Sequence, residues 1–169
     1  MSDFTKTILM LGLFFLAFNS YAFGIEGYKQ YKLNIPIKTL KSKGMKCDSL
    51  GCEIKVNDTF GGARVNLVRP YAENGVVNRM TLEFDVSSMV LKKLLEHHFG
   101  KPTYSFKDFQ SDGSVDTRHL WVADNGASYY VFIQGAVNYQ DEYWVKNGSI
   151  QVINKASTKK KIDYWKGDF

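Results

Sequence analysis

The sequence is poor in the residue types that metal binding and catalysis use most. Its 169 residues include two cysteines and three histidines. The histidines, which are His97, His98 and His119, lack the spacing of a zinc module, so we expect neither a metal nor a cofactor. The sequence also lacks a nucleophile elbow, the H-E-x-x-H motif of zinc proteases and a glycine-rich phosphate loop. These absences predict that the protein is not an enzyme.

The remaining candidates for catalysis fit structural roles better. His97 and His98 fall near the C-terminal end of a predicted helix, where the helix dipole favours a protonated imidazole. Two acid pairs, at positions 83 and 85 and at 141 and 142, would have to stand about 5 to 10 Å apart across a cleft to act as glycosidase carboxylates. One pair ends a predicted strand and the other lies in a polar turn. We therefore predict no catalytic residues.

The N-terminal hydrophobic run is too short for a membrane span. It extends from Ile8 to Phe18, about half of the roughly 20 residues that a span needs. Small residues at Ser20 and Ala22 fit a signal-peptidase site. An uncleaved anchor or a buried core helix is the alternative, which the length and flanks of the run fit less well. The sequence thus predicts a signal peptide at 1–22 and a periplasmic or secreted, soluble mature protein.

Cys47 and Cys52 are the only cysteines, and their role depends on this compartment. In an oxidising compartment an isolated pair most often forms a disulfide. Zinc would need two further ligands, and a redox centre usually has C-x-x-C at the start of a helix, whereas four residues separate this pair. Neither cysteine stands directly after the predicted cleavage site, so we do not expect the lipid anchor of a bacterial lipoprotein. We predict a local disulfide.

Turn residues divide the mature chain into short strands and two helices. Pro36 and Gly44 delimit a short first helix. A second, clearer helix begins at Ser87 or Ser88 and ends at Gly100. The segment KDFQSDGSVDT, at 107–117, is expected to be a polar loop. Period-two alternation predicts strands in CEIKV, ARVNLVR, VVNRMTLEF, RHLWVA, SYYVFIQ, EYWV and SIQVINK.

These elements predict one α+β domain at 23–154. The Asn74-Gly75 pair between two strands is typical of a type I′ hairpin, in which both central residues need positive φ. The expected architecture is an antiparallel sheet covered by two short helices. Because the order of a helix and three strands occurs twice, it indicates a duplicated half-motif.

Several of these segments resemble a family of small uncharacterised exported proteins of Gram-negative bacteria. In that family a hairpin strand leads into a helix that ends in a glycine-lysine-proline turn, followed by a strand with tryptophan and a closing strand. The shared motifs mark turns, helix ends and strands, so the resemblance implies no catalytic residues. More loosely, the layout is similar to the helix-plus-sheet modules of β-lactamase inhibitors and outer-membrane assembly lipoproteins, an analogy of fold alone. The matching segments are Asn74-Gly75-Val76, MTLEFD, LKKLLEHHFGKPT, Trp121 and GSIQVINKAS.

The C-terminal tail, at 155–169, mixes lysines with aromatic residues. Its predicted ligand-binding residues are Lys159, Lys160, Lys161 and Trp165, because such a mixture can bind an anionic glycan, a lipid surface or an acidic protein. The alternative is a solvated tail whose aromatic end folds back on the sheet. The net charge of +5 favours anionic partners weakly, and nucleic acid is not expected in this compartment.

The sequence therefore predicts an exported, non-catalytic binding or structural protein of the bacterial envelope. Its partner would be an anionic envelope component or another protein. The alternative is a periplasmic inhibitor or immunity protein that blocks a partner enzyme with the loop at 107–117. The sequence makes no prediction of the oligomeric state.

Overall fold

An antiparallel sheet dominates the protein, whose computed structural model describes residues 24–48, 51–135 and 147–167. Within these residues the helices are α1 (Lys38–Lys41), α2 (Ser88–Phe99) and α3 (Lys155–Gly167). The strands are β1 (Gly27–Tyr28), β2 (Tyr31–Lys32), β3 (Lys46–Cys47), β4 (Cys52–Phe60), β5 (Ala63–Glu73), β6 (Val76–Phe84), β7 (Tyr104–Phe109), β8 (Val115–Val122), β9 (Ser128–Ile133) and β10 (Ser149–Ile153).

Eight of the described strands form one sheet in the order β3-β4-β5-β6-β10-β9-β8-β7, and β1 pairs with β2 separately. Each pairing is antiparallel. The sheet and its helices confirm the predicted α+β class. The expectation of two helices was wrong, because part of the predicted tail forms α3. Strand order is symmetric about the central pair of β6 and β10, with three further strands on each side.

The hairpin between β5 and β6 has the predicted turn. Asn74 and Gly75 have φ values of 52° and 75°, as a type I′ turn requires. Glu73 then pairs with Val76 across the hairpin. A register shift between Tyr71 and Ala72 then brings Tyr71 opposite Arg79.

The helix α2 has the predicted ends. The Ser87 side chain accepts a hydrogen bond from the Val90 amide, which satisfies one of the free amides of the first turn. Gly100, with φ of 75°, ends the helix, and its carbonyl accepts a hydrogen bond of 2.9 Å from Trp121 Nε1. The terminus of α2 is thereby fixed to β8.

Side chains alternate between the two faces of the sheet, and helices pack on both. Tyr129 and Val131 of β9 join the main core, which includes the α2 residues Leu91 and Leu95. The intervening residue, Tyr130, belongs to a second cluster on the opposite face. That cluster is completed by Trp165 of α3, with Leu120 and Ile153 from the sheet.

The helix α3 begins where Asn154 can cap it. The Asn154 side chain accepts a hydrogen bond of 2.9 Å from the Ser157 amide, and its carbonyl accepts one of 2.9 Å from the Thr158 amide. Thr158 is buried and its hydroxyl lies 2.8 Å from that of Ser128 on β9. The predicted tail is therefore attached to the sheet along Lys155–Gly167.

Cys47 and Cys52 form the predicted disulfide. They are direct partners in the register of β3 and β4, with Cα atoms 4.0 Å apart. The bond therefore closes a short loop at one edge of the sheet and is local.

Two other predicted segments have different outcomes. The expected loop at 107–117 is a hairpin, because β7 continues to Phe109 and β8 begins at Val115. Polar side chains at alternating positions made its strands resemble a loop. The predicted strand EYWV and the predicted signal peptide lie outside the described residues. Within the described part of the chain, no helix is long and apolar enough to cross a membrane.

Candidate functional site

A cleft lies between α3 and the face of the sheet on which this helix packs. Its volume is about 880 Å³, within the range of about 300–1,000 Å³ that is usual for small-molecule sites. Lys160, Lys161 and Trp165 line it from α3, and Arg79 and Arg118 line it from the sheet. Cationic and aromatic side chains therefore dominate its walls.

Strand register positions the side chains that rise from the sheet. Arg79 is the direct partner of Tyr71 on one side and of Ile153 on the other. Two strands beyond β10, Arg118 is the direct partner of Phe106 and of Phe132. Directly paired residues of antiparallel strands project from the same face. The sheet thus presents two arginines beside aromatic rings.

Arg79 has incomplete hydrogen bonding. The centre of its guanidinium group lies 4.3 Å from the centroid of the Tyr71 ring, a cation–π contact. Its Nε atom is shielded from solvent and has no hydrogen-bond partner among the described residues. A shielded donor without a partner is uncommon and often marks a site for water or an ion.

Lys161 is held over two aromatic rings of the second cluster. Its Nζ atom lies 4.2 Å from the centroid of the Tyr130 ring and 5.2 Å from that of Trp165. Burial lowers the pKa of Lys161 to about 8, and the positive charges of Arg79 and Arg118 act in the same direction. Both arginines therefore lie close enough to Lys161 to repel its positive charge.

Two carboxylates partly balance this charge at the margins of the cleft. Asp108 forms an ion pair with Arg118. Glu73 accepts a hydrogen bond of 2.9 Å from Lys160, and this bond is the main reason that the pKa of the Glu73 carboxyl is lowered. The Glu73–Lys160 pair also joins α3 to the hairpin of β5 and β6 across one end of the cleft.

The structure brings three of the four predicted tail residues to this cleft. Lys160, Lys161 and Trp165 line it. Lys159 does not, since it points into solvent and pairs with Asp163 one helical turn away. Trp165 is buried, with 6% of its surface exposed, so it packs on the sheet while lining the cleft. Ligand binding by these residues stays a prediction.

Comparisons with protein families, with curated proteins and with solved structures find no match to this chain. The chemistry of the cleft is therefore argued from its own residues.

The two arginines and the aromatic floor of the cleft were not predicted from the sequence. A partial signal was present, because Met80, Leu82 and Phe84 alternate toward the main core and so place Arg79 on the other face. Nothing in the local pattern indicated that α3 would cover that face. The arginines consequently looked like ordinary surface residues.

A serine and a histidine also lie together, on the neighbouring strands β7 and β8. Ser105 Oγ is 3.0 Å from His119 Nδ1, and burial lowers the pKa of the His119 imidazole. A serine beside a histidine can act as a nucleophile and base when a third group orients the base. Glu96, whose charge acts on His119, is bonded to Lys92 instead. Since Ser105 and His119 are direct register partners, we interpret the bond as a cross-strand contact.

The described residues offer no metal centre either. Across 24–48, 51–135 and 147–167, no group of three or more His, Cys, Asp or Glu side chains could hold a metal ion. The cation-rich cleft is the candidate functional site.

Proposed function

We propose that the protein is a non-catalytic binding protein of the bacterial envelope and that it binds an organic anion in the cleft under α3. One observation carries this proposal: Arg79, Arg118 and Lys161 converge on a cleft walled by aromatic rings. Guanidinium and ammonium groups bind anions by charge-assisted hydrogen bonds. Aromatic rings favour a ligand that also has an apolar part.

An aromatic sulfonate dye, anilinonaphthalene sulfonate, is a suitable first probe because it combines a negative charge with rings. We expect saturable fluorescence with one site per chain. Replacing Lys161 by Met or Arg79 by Gln should weaken binding at least about tenfold, since each removes a charged donor. Lys159→Met is the matched control, because Lys159 lies outside the cleft, and it should leave binding unchanged.

The dye also binds loosely packed states, so each variant must first show a native circular dichroism spectrum and a cooperative melt. Equal dye affinity in the native protein and in a folded Lys161→Met variant would contradict binding in the cleft. Retention of the native protein on anionic envelope material, lost in that variant, would connect the cleft to an envelope ligand.

We also propose export with removal of residues 1–22. Two features support export: the N-terminal hydrophobic run and the Cys47–Cys52 disulfide, because disulfides persist in oxidising compartments. Intact mass of the exported protein should correspond to an N-terminus at Phe23. Recovery of the chain from a membrane fraction with Met1 retained would show that the run is not cleaved there.

The inhibitor or immunity function remains the second candidate, and the hairpin of β7 and β8 favours it. Phe109, the last residue of β7, is 79% exposed, and the turn that follows contains Asp112 and Gly113. A projecting aromatic residue beside a polar turn can enter the cleft of a partner enzyme. A periplasmic enzyme captured in a one-to-one complex and inhibited would support this function. Inhibition unchanged by Phe109→Ser would contradict a role of the hairpin.

The resemblance to small exported proteins of Gram-negative bacteria and the duplicated half-motif are part of the same proposal. The symmetry of strand order about β6 and β10 supports duplication. Superposing the backbone of 38–84 on that of 88–153 tests it. Matching strands in the same order support duplication, and the absence of a common superposition argues against it.

A further inference from the structure

The charges that line the cleft do not balance. The described residues of its lining include four cations, Arg79, Arg118, Lys160 and Lys161, and two carboxylates, Glu73 and Asp108. Each carboxylate has its own cation, as Glu73 pairs with Lys160 and Asp108 with Arg118. Arg79 and Lys161 are therefore left as two cations without a carboxylate partner in the described part of the chain.

Both unbalanced cations rest on aromatic rings. Arg79 lies over Tyr71 and Lys161 over Tyr130. A cation–π contact compensates a charge less completely than a carboxylate does. The Nε atom of Arg79 is shielded from solvent and also has no hydrogen-bond partner among the described residues. The cleft thus has hydrogen-bonding capacity that the protein itself does not use.

The arrangement of the aromatic rings indicates which chemical group the ligand carries in addition to its negative charge. Tyr130 and Trp165 lie 5.8 Å apart, centroid to centroid, and Phe106 lies 4.4 Å from Trp165. These rings are contiguous with the cations, since Lys161 contacts both Tyr130 and Trp165. These rings pack α3 on the sheet and also line the cleft. A ligand with a ring can pack on the part of this aromatic surface that faces the cleft, which a free inorganic ion cannot do.

We infer that the cleft selects a phosphate monoester of a ring-bearing molecule, whose two negative charges match Arg79 and Lys161 and whose ring packs against Tyr130 and Trp165. This inference rests on the proposed anion binding and specifies its ligand class. Phosphate monoesters carry close to two negative charges at neutral pH, because their second pKa is about 6. Their three terminal oxygens also accept several hydrogen bonds at once.

Three competitors distinguish the contribution of the ligand's charge from that of its ring. Each is tested for displacement of the bound sulfonate dye at the same neutral pH. Naphthyl phosphate is a dianion with a ring. Its methyl diester keeps the ring and the phosphorus but carries a single negative charge. Inorganic phosphate has the charge and no ring. We expect naphthyl phosphate to displace the dye at about tenfold lower concentration than either of the others, since hydrogen bonds to charged groups are the stronger class.

Two variants identify the residues responsible. Arg79→Gln and Lys161→Met should each reduce the preference for naphthyl phosphate over its methyl diester several-fold, because each removes one unbalanced charge. Lys159→Met is the control, because Lys159 lies on the same helix but outside the cleft and pairs with Asp163, and it should preserve the preference. The variants are compared only after their melting curves show cooperative folding.

Each outcome supports or overturns a defined part of the inference. Equal displacement by naphthyl phosphate and its diester would overturn the selection of a dianion while anion binding stands. Equal displacement by inorganic phosphate would overturn the role of the ring. If the dye does not bind the native protein at all, the proposed function itself fails.

Discussion

The ring of Trp165 in α3 lies 4.4 Å from the ring of Phe106 in β7, centroid to centroid. Through this contact the basic C-terminal segment is packed on the sheet instead of extending freely into solvent. The same tryptophan contacts Tyr130 and carries Lys161 above its ring face. Trp165 therefore takes part both in packing α3 on the sheet and in the proposed binding site.

Replacing Trp165 by Ala should destabilise the protein by about 3 kcal/mol, the usual size of a large-to-small change at a buried aromatic residue. Thermal and denaturant unfolding measure the loss. Tyr164→Ala is the neighbouring control, because Tyr164 is 69% exposed and surface changes usually stay within about 0.5 kcal/mol. An unfolding midpoint unchanged by Trp165→Ala would show that α3 does not pack as described.

Lys161→Met should stabilise the protein at neutral pH and stabilise it less as the pH rises. The native pKa of Lys161 is about 8, below its ordinary value of 10.5, so the unfolded chain binds more protons between these values. Stability of the native protein consequently rises with pH in that window, whereas the variant lacks this contribution. Melting temperatures of both proteins from pH 7 to 10.5 measure the difference.

The control for this pH series is Lys159→Met, since Lys159 is on the exposed side of the same helix. Its melting temperature should follow that of the native protein throughout. A constant difference between native protein and Lys161→Met across the series would mean that the amine is not desolvated.

Replacing both Cys47 and Cys52 by Ser should cost about 2 kcal/mol, because the closed loop is short in the chain-entropy model. The sheet should keep its circular dichroism spectrum, since the bond joins only adjacent strands. Alkylation of native protein should label no thiol before reduction and two afterwards. Two reactive thiols in unreduced protein from an oxidising compartment would contradict the disulfide.

Gly148→Ala should be among the most harmful small substitutions. A Cβ atom there would lie 2.5 Å from the Ser88 amide nitrogen and 2.6 Å from the Val86 carbonyl oxygen, and both are backbone atoms that cannot move aside alone. We expect a loss of about 3 kcal/mol in unfolding free energy. Gly167→Ala should be close to neutral, because no described residue beyond its chain neighbours and the helix's own backbone lies within 4 Å of the added carbon. Similar stability of the two variants would contradict the close approach.

Local elements could be predicted from the sequence wherever one short signal was sufficient. The Asn74-Gly75 turn needs two residues that tolerate positive φ, and α2 has both a serine cap and a glycine stop. Such features depend on residues within a few positions of one another. The β6–β10 pairing has no comparable signal, because Met80 and Val152 become partners only through the global fold.

The sequence of α3 contains a helical pattern of buried residues, which its lysines obscured. Thr158, Ile162 and Trp165 follow helical spacing, and all three face the sheet or its cluster. The lysines between them lower the average hydrophobicity, so the segment resembled a solvated tail. The sequence therefore identified the α3 side of the candidate site, which consists of Lys160, Lys161 and Trp165. The residues on the sheet side could not be predicted without knowing which face of the sheet the helix covers.

The Glu73–Lys160 pair connects residues that are 87 positions apart. The cleft consequently depends on contacts of long sequence separation, whereas the hairpins of the sheet close between neighbours. Contacts between distant residues are generally late and slow to form. A ligand of the cleft therefore has little to bind during early folding, and it should act chiefly by slowing the unfolding of the finished protein. Its effect would appear as a lower unfolding rate of the ligand-bound protein.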